Sequence, residues 1–290
     1  MSPEELLRRE AFLLVWELRA FWGVALLYAV GALLGLFYIL TAKEALGRAL
    51  TGLLWTGLLL HVLLVAFRAW EGGRPPFQNL YETLSWFSAS AVLCYLLVQA
   101  RWRGVHVPGA AVAAIAAGAC FYALLGRSPE LRPIPPALQS PWYVWHVVVA
   151  FLAYAVFVVS FAVELSQLLW ARWFTARGRL FGLPQEGFYR YAHRLVLFGF
   201  PMLSFAIFSG AAWAEEAWGR YWSWDPKEVW SLITWTVYAM YLHSKAVPAW
   251  RRNLSPALNI LGFVCMVMTF LGVNWLAKLL GIPSLHAYAV

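Results

Sequence analysis

Residues 143–169, YVWHVVVAFLAYAVFVVSFAVELSQLL, form an almost uninterrupted apolar stretch whose only carboxylate is Glu164. A helix of this length is long enough for the hydrocarbon core of a bilayer, which takes about 20 residues to cross. Lipid offers no hydrogen-bond partner to an unpaired backbone amide, so a segment buried in it must be helical. The stretch therefore predicts a transmembrane helix.

Similar stretches recur along the chain, in which 62% of the 290 residues are hydrophobic and 12% are charged. A soluble domain could not cover that much apolar surface. We predict an all-α polytopic membrane protein, a single integral membrane domain over residues 1–290, without a cleavable signal peptide. Residues 1–19 are expected to form an amphipathic helix that leads into the first of eight spans. The predicted spans are 20–41, 48–68, 84–100, 108–125, 143–169, 194–212, 229–246 and 257–277.

The formal charge of +8 comes from Lys and Arg residues, many of which lie in short loops between spans. Such residues set membrane topology, so the charge is not evidence for nucleic-acid binding. They are most concentrated in loops 171–193 and 244–256, which we place in the cytoplasm. Both termini then face outward, together with the loop between the sixth and seventh spans.

That outward loop is rich in tryptophan. WGRYWSWDPKEVW, residues 218–230, contains four indoles, and Trp213 extends the Trp-rich loop to residues 213–230. Tryptophan is enriched at membrane interfaces in general, so an interfacial belt is one interpretation. A belt would be spread over many helix ends, whereas these side chains crowd a single loop.

Two histidines are predicted at the same face: His146 at the start of the fifth span and His286 just past the eighth. Two imidazoles beside an aromatic platform suit haem, whose iron takes two axial nitrogens. Arg220 and Lys227 could hold the haem propionates. Asp225 could orient an indole N–H, or it could cap the helix that begins at DPKE. Each histidine taken singly would more often be a surface residue.

Two other histidines are predicted at membrane depth, where ionisable groups are functional candidates. His243 lies near the cytoplasmic end of the seventh span. His61 lies within the second span and could equally be a neutral imidazole bonded to a neighbouring helix. For Glu164 we expect a structural hydrogen bond.

The segment GAAWAEEAWGRYWSWDPKEVWSLITWTVYAMYLHSK, residues 210–245, resembles the tryptophan-rich "WWD" signature of the haem-handling proteins of cytochrome c biogenesis. Within this CcmC/CcmF/CcsA superfamily the chain resembles the CcsA (ResC) subfamily, the membrane subunits of the system II cytochrome c synthase, over roughly residues 68–290. Three segments favour the CcsA subfamily: RPPFQNLYETLSW (74–86), LQSPWYVWHVVVAFLAYAVF (138–157) and GVNWLAKLLGIPSLHAY (272–288). In the last of these, SLHAY stands where the subfamily more usually has GLHSY.

The resemblance implies a role for each candidate residue. His146 and His286 would be the axial ligands of the haem iron at the outer face, and His243 would form an inner haem site. Trp218, Trp222, Trp224 and Asp225 would be the platform that holds the haem with its vinyl edge exposed. Trp213 and Arg220 are further candidate haem-binding residues.

The resemblance also implies an enzyme subunit of the inner (cytoplasmic) membrane, with its Trp-rich loop facing the periplasm or exterior. The protein would carry haem b, its transported substrate, outward across the lipid bilayer. With a CcsB/ResB-like membrane partner, it would present the haem for thioether attachment to the CxxCH motif of apocytochrome c. This is the activity of a holocytochrome c synthase (haem lyase), expected only when the partner is present.

Two other functions stay open. A CcmC-type exporter would load haem onto a separate haem chaperone, although eight spans and the NLYE-like segment favour the synthase. A haem-b electron-transfer protein would bury its haem between helices. Only His61 and His243 are deep enough for that, and they are poorly placed to pair.

Overall fold

The computed structural model describes residues 3–102, 105–131, 133–169, 185–251 and 254–281, and within these ranges it contains helices and no strands. A 3-10 turn, Pro136–Leu138, precedes the fifth helix, and a π-helical segment, Met268–Gly272, joins the last two. The α-helices are α1 Pro3–Thr41, α2 Glu44–Gly72, α3 Leu80–Arg101, α4 Val107–Gly126, α5 Pro141–Leu169, α6 Gln185–Trp218, α7 Pro226–Ala246, α8 Pro248–Arg251, α9 Leu254–Val267 and α10 Val273–Leu280.

The predicted fold class, an all-α polytopic membrane protein, is confirmed. In the described ranges seven helical segments are long and apolar enough to cross a membrane. They are α2 to α5, most of α1 and α6, and the continuous segment Leu254–Leu280. The predicted seventh span lies in α7, which has 21 residues but is not among the seven.

The sequence predicts a helix over residues 1–19 that leads into the first span. In the structure α1 is continuous from Pro3 to Thr41, so the leading segment and the span are one element. Its sequence contains no proline after the first position and so offers no helix breaker at the expected junction.

The chain divides into two compact units, residues 1–133 and 134–290. That both belong to one integral membrane domain stays a prediction. The first unit contains α1 to α4, with α1 packed against α2 and α4, and α3 packed against α4. The second contains α5 to α10 and all the candidate haem residues.

His61 is fully buried within the first unit. Its Nδ1 lies 3.2 Å from the Tyr28 hydroxyl on α1, and its Nε2 lies 2.9 Å from the Ser85 hydroxyl on α3. Both ring nitrogens are therefore engaged in hydrogen bonds that join α2 to two neighbouring helices. This arrangement matches the interpretation of His61 as a bonded core histidine, and it gives no support to an electron-transfer haem held by His61 and His243.

An ion network joins α1, α2 and α3 in the first unit. The Arg68 guanidinium lies 3.0 Å from carboxylate oxygens of both Glu17 and Glu82, and Arg74 lies 3.0 Å from Glu82. The Tyr81 hydroxyl donates to Glu17 at 3.1 Å. All four charged side chains are nearly inaccessible to solvent, so each depends on its partners to offset the cost of burial.

The NLYE-like segment supplies half of this network. Asn79 is the N-cap of α3, where its side-chain oxygen accepts a hydrogen bond of 2.9 Å from the Glu82 amide. The Glu82 carboxylate in turn accepts from the Gln78 amide at 2.8 Å. The motif that resembles the CcsA subfamily therefore starts α3 and ties it to α1 and α2.

The second unit is organised around the pair α5 and α6, while α7 packs against α9 and α6. Glu164 on α5 is fully buried and accepts a hydrogen bond of 3.1 Å from Asn259 on α9. The Asn259 side chain also lies 3.0 Å from the Ser160 hydroxyl. The structural hydrogen bond expected for Glu164 is thus confirmed.

Replacing Glu82 by glutamine should destabilise the protein by about 3 to 5 kcal/mol, because two buried arginines lose their shared counter-charge. Thermal unfolding in detergent would measure the effect. The matched control is Glu44→Gln, since the Glu44 side chain is 57% exposed and its loss should cost less than about 1 kcal/mol. Equal effects of the two substitutions would contradict a structural role for the network.

Candidate functional site

His146 lies on the second turn of α5 and contacts α6 through its ring. Its Nδ1 lies 2.7 Å from the carbonyl oxygen of Ala206. A carbonyl oxygen only accepts hydrogen bonds, so Nδ1 carries the proton that it donates. In the neutral ring the lone pair is then on Nε2, which is the tautomer of a histidine that binds a metal through Nε2.

The close approach of the ring depends on Gly210, one turn beyond Ala206. A Cβ atom at Gly210 would lie 2.8 Å from Nδ1 and 2.9 Å from Cε1 of His146, closer than real Cβ contacts. The missing side chain leaves room for the imidazole against α6. We call the Ala206 carbonyl together with Gly210, both on α6, the histidine seat.

Trp213 packs beside the seated imidazole. The two ring planes are 22° from parallel, with centroids 5.9 Å apart. The indole Nε1 donates to the Ala137 carbonyl at 2.7 Å, and the Tyr143 and Trp218 rings lie with centroids 5.2 and 4.9 Å away. Trp213 is only 2% exposed, so it is the buried anchor of an aromatic cluster around His146.

The Trp-rich loop is shorter than the predicted 213–230. Because α6 continues to Trp218 and α7 begins at Pro226, only residues 219–225 lie outside helices. The sequence AAWAEEAW before Gly219 contains no helix breaker. Gly219 itself has φ +71°, the left-handed conformation in which many helices end.

The remaining loop exposes aromatic side chains. Trp222 and Trp224 meet edge to face, with centroids 5.8 Å apart and an interplanar angle of 89°. Trp224 is 69% exposed and has φ +60°, which is unusual for a residue other than glycine. Arg220 and Tyr221 are exposed beside them, so the loop offers indole faces, a phenol and a cation together.

Asp225 caps α7. Its carboxylate accepts a hydrogen bond of 2.9 Å from the Lys227 amide, and the Glu228 carboxylate accepts one of 3.1 Å from the Asp225 amide. The same Glu228 carboxylate accepts from the Ser223 amide at 2.8 Å. This capping box confirms the sequence interpretation of DPKE as a helix start, and it also fixes the end of the Trp-rich loop.

Lys227 lies in the first turn of α7. Desolvation lowers the pKa of Lys227 to about 8, and the neighbouring Asp225 carboxylate opposes the shift. An anion placed near this ammonium group would favour its charged form. Lys227 thus remains a candidate partner for an anionic group.

The chain matches the family model described as cytochrome C assembly protein over residues 77–280. That range contains α3 to α10, including the histidine seat and the Trp-rich loop.

The chain belongs to the cytochrome c assembly protein family.

Relatives named "Cytochrome c biogenesis protein CcsA" agree with this membership of the cytochrome c assembly family. The protein of Parasynechococcus marenigrum is 34% identical over 258 residues, covering 79% of this chain and 83% of its own length. That of Thermosynechococcus vestitus is 33% identical, covering 91% and 92%. That of Chlamydomonas reinhardtii is 32% identical, covering 79% of this chain and 65% of its own. The chain functions in cytochrome c biogenesis.

The fold also resembles a solved structure titled "Cytochrome c Heme Lyase CcmF", with a TM-score of 0.66 and 17% sequence identity. The match covers 87% of this chain and 46% of the other, so this chain spans about half the length of that structure. The likeness shows a shared fold.

Of the other two predicted haem histidines, the structure describes His243. His243 is exposed in the last turn of α7, about 26 Å along that helix from its start at Pro226. His286 and its SLHAY segment lie outside the described residues. The pairing of His146 with His286 stays a prediction.

The sequence predicts His146 and Trp213 as site residues, which stays a prediction, but it gives no sign of the backbone groups that accept their hydrogen bonds. The carbonyls of Ala206 and Ala137 accept hydrogen bonds without any side-chain signature. Gly210 was the one available signal, because a glycine within a helix often marks a close approach.

Replacing Asp225 by alanine should cost about 1 kcal/mol of stability through loss of the cap, whereas asparagine should cost little because it caps equally well. Thermal unfolding of both variants in detergent would measure this. If Asp225→Asn is as unstable as Asp225→Ala, the carboxylate charge matters for more than the cap.

Proposed function

We propose that this chain carries haem b from the cytoplasm to the outer face of the inner membrane, where it presents the haem for attachment to apocytochrome c. The observation that carries the proposal is the hydrogen bond from His146 Nδ1 to the Ala206 carbonyl. In the neutral ring this bond places the lone pair on Nε2 and orients the imidazole, as an axial haem ligand requires. Membership of the cytochrome c assembly family supplies the context.

At the outer site His146 and His286 would be the two axial ligands. The exposed Trp224 and its neighbour Trp222 offer aromatic faces for the porphyrin, with Trp218 at the end of α6. Arg220 and Lys227 would pair with the propionates, and a propionate beside Lys227 would favour its ammonium form. Trp213 would act beneath this platform by packing against the His146 ring.

The inner site would be at His243. This residue lies at the end of α7 opposite the Trp-rich loop, and α7 therefore connects the two proposed haem positions. We place residues 171–193 and 244–256 in the cytoplasm because of their Lys and Arg content, which puts His243 inside and the Trp-rich loop in the periplasm or exterior.

The chemical step proposed is that of a haem lyase. Each cysteine thiol of a CxxCH motif adds across one haem vinyl group, with sulfur bonding to one carbon and hydrogen to the other. No net oxidation occurs. The chain contributes positioning: axial ligands hold the iron, the indoles hold the ring plane, and the vinyl edge meets the thiols. A CcsB/ResB-like membrane partner would complete the synthase.

The first test is the absorption spectrum of the full chain, purified in detergent from a haem-producing host with its partner co-expressed. Wild type should show low-spin haem. The His146→Ala/His286→Ala variant should lose that spectrum and recover it with added imidazole, which replaces the missing ligands. An unchanged spectrum in the double variant would mean that haem is ligated elsewhere, with His243 the next candidate.

The matched control is His61→Gln. His61 is buried with both nitrogens bonded to hydroxyls, so this change should alter stability and not the spin state of bound haem. Maturation of a reporter cytochrome c in the same strains would test delivery, and normal maturation in the double variant without imidazole would contradict the outer-site assignment.

A further inference from the structure

We propose that the histidine seat positions the haem ligand His146, and that the hydroxyl of Ser209 tunes it. The Ala206 carbonyl would fix the tautomer and Gly210 would fix the place of the ring. This inference rests on the proposed function, because it takes His146 to be a ligand of the haem iron.

The first step concerns the carbonyl. An imidazole that donates its Nδ1 proton to an acceptor becomes a better electron donor at Nε2. The Ala206 carbonyl is such an acceptor, and its bond to His146 is short at 2.7 Å. Ala206 is 2% exposed, so water competes little for the carbonyl. The bond therefore favours ligation through Nε2 and stabilises ferric over ferrous iron.

The second step concerns a competing donor. The single proton of the Ser209 hydroxyl is shared between the Phe205 carbonyl at 2.8 Å and the Ala206 carbonyl at 3.1 Å. Because Ala206 lies inside α6, its carbonyl also accepts the helical bond from the Gly210 amide, so His146 and Ser209 compete for what remains of its two lone pairs. Each donor withdraws electron density from the shared acceptor, so Ser209 weakens the bond to His146. The serine thereby limits how far the ligand stabilises ferric iron.

The third step concerns the space at Gly210. The imidazole occupies the volume that a side chain at this position would fill, with Nδ1 2.8 Å from an added Cβ. Trp213 stacks near the same ring and is itself held by the Ala137 carbonyl. A Cβ at Gly210 must therefore push the ring away from the Ala206 carbonyl, and the indole limits where it can go.

The same pair of helices contains a matched control. A Cβ at Gly199 would lie 2.8 Å from the Phe157 ring, so Gly199→Ala perturbs the contact between α5 and α6 as severely as Gly210→Ala does. The two positions are 11 residues apart on α6, about 16 Å along the helix. Gly199→Ala therefore tests whether loosened helix packing alone changes haem ligation.

The experiment compares wild type, His146→Ala, Gly210→Ala and Gly199→Ala as full chains with bound haem, by absorption spectroscopy with and without imidazole. We expect Gly210→Ala to lose at least half of the low-spin signal and to regain it with imidazole, because free imidazole needs no seat. Gly199→Ala should keep the wild-type spectrum. The seat proposal is overturned if Gly210→Ala keeps the low-spin signal, or if Gly199→Ala loses as much of it.

Ser209→Ala tests the proposal without crowding the ring and so serves if Gly210→Ala does not fold. It should keep the low-spin spectrum and shift the haem reduction potential to a lower value in a spectroelectrochemical titration. An unchanged or higher potential would overturn the tuning role. A wild-type spectrum in His146→Ala would instead refute the ligand assignment in the proposed function, which separates the two failures.

Discussion

The absence of hydrogen-bond partners in lipid is the constraint on which this structure depends. It forces the backbone into helices, and it also governs the polar side chains between them. Both nitrogens of His61 form hydrogen bonds, Glu164 accepts a hydrogen bond from Asn259, and Arg68 forms ion pairs with two carboxylates. His61 and Arg68 join α2 to α1 and α3, its neighbours in the chain, and Glu164 joins α5 to the more distant α9. The few polar residues in an apolar chain thus specify which helices are neighbours.

The candidate haem site also contains a hydrogen bond that joins two helices. The bond between His146 and the Ala206 carbonyl joins α5 to α6, as a structural bond would, but it also fixes the protonation of a ring at the edge of the apolar region. Trp213 is held by a backbone carbonyl in a similar way. The packing of α5 on α6 therefore orients the proposed ligand, while the aromatic faces proposed to meet the porphyrin lie on the short loop between α6 and α7. The proposed ligand and the proposed platform thus belong to separate elements.

Much of the fold could be predicted from the sequence, since lipid-spanning helices need long apolar stretches and little else. Seven of the eight predicted spans fall on single long helices, and the eighth falls on the continuous helical segment Leu254–Leu280. DPKE marked the start of α7 correctly. The difference concerns the ends of α6 and α7: the segment outside helices is residues 219–225, because the sequence before Gly219 contains no helix breaker. The candidate site was predictable only where it uses side chains. The carbonyls of Ala206 and Ala137 have no sequence signature, because every residue has one and only the packing of α5 on α6 selects them.

Trp224 has a consequence for how this loop can vary. A left-handed backbone conformation costs a residue with a Cβ about 1 to 2 kcal/mol, and glycine or asparagine at position 224 would relieve that strain. Either would also remove a 69% exposed indole. At position 224 the backbone conformation therefore favours glycine or asparagine, whereas an exposed aromatic surface requires the tryptophan. Substitution of Trp224 by glycine or asparagine would thus tend to give a more stable protein that has lost an exposed indole face.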